Sequence, residues 1–256
     1  MALTRCEAVV VRTYALGDTS RIAVLYSREF GLIRAVAKGA RGPRRPFGAG
    51  LEPLSRIDAV LYRKDGRDLD LLSKVDVIKA WPDLGFARVV HAQAVLEFVD
   101  RLVWETEHEP RLYDLVLAAL AALRTAPDEK MLASITLAFQ LQGAGVLGYR
   151  PVADRCAGCG APPADRWAPA RGGAVCARCA DGEGAIAVVS REALAGIARA
   201  LALDLTDPAA PFAAARAGEM LRLAELHLRH HVPRFAGFKS LAMLLTLERA
   251  DAREVR

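Results

Sequence analysis

Residues 32–51 read LIRAVAKGARGPRRPFGAGL, and the first third of the chain is read outward from them. Leu32, Ile33, Val36 and Ala37 stand among polar partners in the alternation of a strand. The run then breaks into Gly42-Pro43-Arg44-Arg45-Pro46-Phe47-Gly48, where Gly and Pro forbid regular structure and favour an exposed loop. No acidic residue falls between Glu29 and Glu52, whereas Arg34, Lys38, Arg41, Arg44 and Arg45 all do. A strand feeding a cation-only loop with one aromatic, Phe47, suits a phosphate backbone whose bases are free to stack. A charge run is as often only a solvated face, so its surroundings decide the reading.

Four more strand-like runs flank this one. Arg5–Tyr14 and Ser20–Ser27 precede it and are rich in β-branched and aromatic residues. Leu54–Arg63 and Leu69–Trp81 follow it, separated by Lys64-Asp65-Gly66-Arg67, whose Asp-Gly is a hairpin signal. Five short strands with one long loop predict an OB-type five-stranded β-barrel over residues 1–81, a fold whose open face and loops bind single strands. An SH3-like barrel would read similarly. The candidate contacts are Arg34, Lys38, Arg41, Arg44, Arg45 and Phe47. Arg12, Arg21 and Arg63 read equally well as ordinary strand-edge charges. Tyr14, Tyr26 and Tyr62 are possible stacking platforms, although their strand context favours core or rim. Cys6, among Val and Ala, reads as a buried thiol.

The charge supports a polyanion-binding front end. The net charge of +5 is uneven: residues 1–80 hold 15 Lys and Arg against 9 Asp and Glu, and the remainder holds 20 against 21. Arg5 and Glu7 occupy the place of an apolar signal core, and no window reaches the apolar length of a membrane span, so a cytoplasmic protein is expected. Five cysteines, four of them in CxxC pairs, suit a reducing compartment better than a disulfide framework.

After residue 81 the apolar period becomes helical. Helices are expected from Phe86 to Val103, over Leu112–Leu123 and over Met131–Leu147, then over Ser190–Leu203, Pro211–His231 and Phe238–Arg253. These define a helical domain of residues 82–149 and 186–256. Gly143, Gly145 and Gly148 match GxGxxG, but a helical stretch precedes them where a dinucleotide site needs a strand, so they read as a helix end. His227, His230 and His231 lie near Arg229, Arg234 and Lys239 and read as a small cationic cluster or a solvated helix end.

Between the two helical segments, residues 150–185 carry Cys156-Ala-Gly-Cys159 and, sixteen residues on, Cys176-Ala-Arg-Cys179. Each CxxC presents two sulfurs to one ion, and two such knuckles complete the tetrahedron of a structural Zn²⁺. A redox dithiol pair and an iron–sulfur cluster are the competing uses of these ligands. Four protein ligands leave no open coordination position for catalysis. The whole is a multidomain α+β chain: a barrel, then an α-helical domain with an inserted four-cysteine zinc ribbon.

This order of parts resembles the RecO family of bacterial recombination mediators. The similarity spans essentially the whole chain and is carried by VAKGARGPRR, by FQLQGAGVLGYRPVADRCAGCG with GGAVCARC, and by the closing HHVPRFAGFKS. Lys38, Arg41, Arg44 and Arg45 match the family's basic segment. The resemblance implies an OB-fold that binds single- and double-stranded DNA and anneals complementary strands. It also implies partnership with RecR, contact with the acidic tail of single-strand-binding protein and help in loading RecA. Some members of the family lack the cysteines, so the zinc is not their activity. No catalytic residue is implied, and no GxxxxGK[ST], HExxH or GxSxG is present, so the chain is expected not to be an enzyme. The remaining reading is an OB and zinc-ribbon factor that binds RNA.

Overall fold

Small alanines and β-branched residues on alternating positions build a narrow barrel from five strands: β1 (Ala2–Leu16), β2 (Ser20–Ser27), β3 (Gly31–Ala37), β4 (Arg56–Arg63) and β5 (Asp70–Lys79). In this computed structural model the described residues are 2–42, 46–63, 69–81, 85–104, 108–162, 164–180, 187–207 and 216–243. The expected Lys64–Arg67 hairpin turn lies outside them, as do 211–215 and 244–253 of the last two expected helices. β1 pairs antiparallel with both β2 and β4, β2 with β3, and β4 with β5. β3 and β5 run parallel, so the order β1-β2-β3-β5-β4 returns to β1 as a closed ring. The β3–β5 seam is short, only Ala35 with Asp70, Val36 with Leu71 and Ala37 with Leu72. This strand order is that of a five-stranded barrel of the OB type.

β1 serves two partners because it is long and bulged. Its register shifts between Val10 and Arg12, the local twist that lets its first half face β4 and its second half β2. Ala8, Ala23, Ala35, Ala37 and Ala59 point inward and keep the lumen tight around Leu25, Ile57 and Leu61. A single 3₁₀ turn, Gly48–Leu51, brings Leu51 into the same core.

The chain divides into two compact units, Met1–Leu84 with Leu96–Asp114, and Gly85–Val95 with Leu115–Arg256. Residues 96–114, which the apolar period assigns to the helical domain, thus cluster with the barrel. Side chains explain it. The Tyr113 hydroxyl donates to Glu7 Oε1 at 2.8 Å, the Tyr113 ring meets that of Tyr26 at 5.8 Å, and Arg28 forms a two-pronged pair with Asp114 at 3.1 and 3.0 Å.

Among the described residues the helices are α1 (Phe86–Leu102), α2 (Pro110–Thr125), α3 (Glu129–Val146), α4 (Arg191–Ala202) and α5 (Ala217–His231), with residues 239–243 also helical. α3 is apolar nearly all round, as a central helix must be, and it packs against both α4 and α5. Asp128 caps α3 by accepting from the Met131 amide at 2.8 Å, and Ser190 caps α4 by accepting from the Ala193 amide at 3.2 Å. α3 ends within Gly143-Ala-Gly145-Val-Leu-Gly148, where Gly148 turns left-handed at φ 89°. The GxGxxG match is therefore a helix C-terminus. No helix among the described residues is long and apolar enough to cross a membrane.

Candidate nucleic-acid interface and metal centre

Alternation along β3 sends Ile33, Ala35 and Ala37 into the core. It leaves Arg34 half-buried on the outer face, opposite Val24, and Lys38 exposed just past the strand end. The chain then folds back on the β1–β2 turn. The Arg41 amide donates to the Thr19 carbonyl at 2.8 Å and its Nη1 donates to the Gly17 carbonyl at 3.0 Å. Lys38 and Arg41 are brought to one rim of the barrel by that double tether, and both are exposed. Among the described residues neither makes an ion pair with a carboxylate. Arg44 and Arg45 lie outside the described residues.

Phe47 requires a correction. It was expected beside the cations as a stacking ring, but it is 8% exposed and belongs to the barrel core. The 3₁₀ turn that follows directs it inward with Leu51, because burying a phenyl ring outweighs leaving it on the rim.

Arg12, Arg21 and Arg63 are strand-edge charges, each with a carboxylate partner. Arg12 pairs with Asp100 at 3.0 Å, Arg21 with Glu52 at 3.6 Å, and Arg63 with Asp70 at 2.8 Å while lying over the Phe30 ring. Further round the barrel Arg56 grips Glu7 through two 2.8 Å bonds and holds its carboxyl below the usual range. Cys6 is buried, and loss of hydration pushes its thiol up to about 11, so it is no nucleophile. Tyr26 is buried, whereas Tyr14 and Tyr62 are exposed.

The four cysteines converge. Their sulfurs all lie within 4.8 Å of one another, and Cys159 Sγ to Cys176 Sγ is 3.9 Å. Tetrahedral binding at about 2.3 Å per thiolate separates sulfurs by about 3.8 Å, so the site fits one four-coordinate ion. All four are free thiols. Cys156 and Cys159 bracket one tight turn, and Cys176 and Cys179 another at the 3₁₀ turn Ala177–Ala180. A Cβ on Gly158 would come 3.1 Å from Cys179 Cβ, which is why the first knuckle carries glycine. The Cys176 amide donates to Cys156 Sγ at 3.3 Å and, helped by the amides of Cys159 and Gly158, holds that thiol down to about 6. The neighbouring thiols, Cys159 first, push Cys179 up, as sulfurs sharing one site must without a cation between them.

The knuckles are braced by a three-stranded sheet ordered β7-β6-β8, with β6 at Arg166–Ala168, β7 at Gly173–Val175 and β8 at Ala187–Val188. Val152 bridges to Gly173, accepting from Ala174 N at 2.8 Å and donating to the Gly172 carbonyl at 2.9 Å. Helix α5 closes the other side. His227 Nε2 donates to the Tyr149 carbonyl at 2.8 Å, its ring meets that of Trp167 at 5.9 Å, and His231 stacks on Tyr149 at 5.6 Å. Burial pushes His227 down to about 4, so the residue expected in a cationic cluster is neutral and structural. The four-residue spacing of His227 and His231, which places both on one helix face, was the signal for this packing.

Comparison with known proteins agrees with this arrangement. The profile described as Recombination protein O N terminal matches residues 1–81, and that described as Recombination protein O C terminal matches residues 85–242. The chain belongs to the RecO family. A relative from Symbiobacterium thermophilum, named DNA repair protein RecO, is 36% identical over 194 residues, which cover 73% of this chain and 75% of the relative. Within the family profiles the cation rim falls in the N-terminal match and the four cysteines in the C-terminal one.

Proposed function

We propose that this chain is a non-catalytic DNA repair and recombination mediator. It binds single- and double-stranded DNA through the barrel rim, anneals complementary strands, and acts with RecR to help load RecA on DNA coated by single-strand-binding protein, whose tail it contacts. The observation that carries the reading is the rim itself. Lys38 and Arg41 stand exposed and unpaired with carboxylates among the described residues, while arginines around them are matched to Asp or Glu. Family membership supports the partners.

The physical task needs no bond making. Two strands repel through their phosphates, and a cationic rim neutralises that charge while releasing condensed counterions. Sequence readout is left to base pairing. Cys156, Cys159, Cys176 and Cys179 would hold one structural Zn²⁺, whose role when bound is to cross-link two knuckles that have little core of their own.

The test is Lys38→Ala with Arg41→Ala. Each lost phosphate contact lowers the salt slope for single-stranded DNA by about 0.7, so the pair should lower it by about 1.4. Annealing without ATP should slow in parallel, with the fold and zinc content unchanged. A folded, zinc-loaded variant with the parent's affinity and slope would overturn the reading. An RNA strand of the same sequence, run alongside, separates DNA from RNA as the natural ligand.

A further inference from the structure

Following residue pairs around the barrel reveals a belt that the sequence conceals. Tyr14 on β1 pairs with Ile22 on β2, Ile22 with Val36 on β3, Val36 with Leu71 on β5, Leu71 with Tyr62 on β4, and Tyr62 with Leu3, back on β1. Ile22, Val36, Leu71 and Tyr62 face away from the lumen, since the residues flanking them, Ala23, Ala35, Ala37, Leu72 and Leu61, form the core, and on β1 Tyr14 and Leu3 stand outside that core and exposed. The row leaves β1 at Tyr14 and returns at Leu3, eleven positions earlier, the stagger that closes the ring. All six side chains are apolar or aromatic. Tyr14 and Tyr62 are each 38% exposed and Leu3 is 63% exposed. Val36 and Leu71 are half-buried between them, and Ile22 is the one buried member.

Cations border this belt. Arg34 on β3 and Lys38 just past its end stand two positions either side of Val36, and on β1 the Arg12 guanidinium, which also pairs with Asp100, lies over the Tyr14 ring at 5.5 Å. Exposed rings set in a positive border match one ligand chemistry: a polyanion that can also present aromatic faces. A duplex hides its base faces in its own stack and a bare polyanion has none.

We infer that the belt from Tyr14 to Tyr62 is a base platform specific to single strands, on which the two tyrosine rings stack unpaired bases while the cations hold the phosphates. The inference rests on the nucleic-acid reading above and assigns its single-strand selectivity to named residues. Lys38 and Arg41 attract any strand, whereas Tyr14 and Tyr62 favour one whose bases are out.

The experiment compares the full zinc-loaded chain with Tyr14→Ala, Tyr62→Ala and the double variant. Probes are an oligo-dT strand, a duplex of equal length, and a strand of equal length lacking bases, all at one salt concentration. A stacked ring accounts for roughly fivefold to a hundredfold in affinity, so each alanine should weaken dT binding by at least about fivefold. Duplex and base-free binding should stay unchanged, and Tyr→Phe should restore dT binding, which also controls for folding. The inference is overturned if the parent binds dT and the base-free strand equally, if dT and duplex binding fall together, or if no variant changes dT binding. It is likewise overturned if the variants alter only the sedimentation of the protein, the mark of a second copy seated on the belt. Loss of all binding in Lys38→Ala with Arg41→Ala reports on the cation rim alone, so the two readings fail separately.

Discussion

Gly172 and Gly173 are neighbours in sequence that should respond very differently to a methyl group. At Gly173, with φ 134°, a Cβ would stand 2.3 Å from the Val152 carbonyl oxygen and 2.8 Å from its nitrogen. Both are backbone atoms that cannot rotate away. Alanine there must part Val152 from β7 and break the Ala174 to Val152 and Val152 to Gly172 hydrogen bonds, at 2.8 and 2.9 Å. Two such bonds contribute about 1 kcal/mol each, and the backbone strain adds about 1–3 kcal/mol, for roughly 3–5 kcal/mol in all. At Gly172, φ is 85° and nothing lies within 4 Å of the added atom, so only the left-handed strain of about 1 kcal/mol remains. The difference, about 3 kcal/mol, is more than a hundredfold in local opening. Amide exchange at Ala174 and Ala157, whose amide donates to the Ala174 carbonyl at 2.7 Å, reads that opening directly, and, for protein loaded with added Zn²⁺ as the probe ion, transfer of that ion to a chromogenic chelator reads its consequence. Gly173→Ala should exchange and lose metal far faster than Gly172→Ala. Equal behaviour of the two variants would refute the claim that backbone contact at Val152 latches the cysteine module.

Two further measurements address the packing. His91, whose Nδ1 lies 2.9 Å from the Thr136 hydroxyl, and His227 are both pushed down to about 4 by burial. In the unfolded chain they titrate near 6.5 and bind protons first, so stability is full above that pH and falls as pH drops towards 4. The slope is about 1.4 kcal/mol per pH unit for each histidine, and the urea midpoint should therefore fall clearly between pH 7 and 5; a flat midpoint would show that neither ring is buried neutral. Tyr113→Phe removes the 2.8 Å hydroxyl bond to Glu7 and should lower stability by about 1–2 kcal/mol. It should raise the Glu7 carboxyl only slightly, because Arg56 is the larger cause of its depression, and a carbon-detected titration of Glu7 checks both parts.

What could be read from the chain beforehand follows the range of each interaction. The cysteine centre was legible because a knuckle is a local object: two residues of spacing fix two sulfurs, and the structure only had to bring the pairs together. The β3 alternation and the cation run were legible for the same reason. Phe47 was misplaced because Pro46, Phe47 and Gly48 have the composition of an exposed loop, and only the 3₁₀ turn beyond shows that the ring has core to reach. Residues 96–114 have a helix's period, which tells which face is buried but not against what; the partners, Glu7, Arg28 and Tyr26, lie some eighty or more positions away. The belt is the extreme case. Tyr14 and Tyr62 have no relation along the chain, and only the register of five strands puts them in one row.

That row also bears on how an annealing surface can release what it holds. A platform of continuous aromatics would store each base against its complement. Here the members between the two tyrosines are Ile22, Val36 and Leu71, which exclude water without stacking a base face to face. On that inference each tyrosine would hold its base with about 1–3 kcal/mol, while each new base-pair step gains about 1.4 kcal/mol. About one to three paired steps would therefore outweigh one ring, and a complement a few nucleotides long would lift the strand from the belt. Under the same proposal, phosphate contacts at Lys38 and Arg41 would be indifferent to pairing and would persist as the second strand arrives. On the proposed reading the rim would keep both strands near while the belt lets go, an unequal grip that would turn a single-strand binder into one that favours the duplex it helps to form.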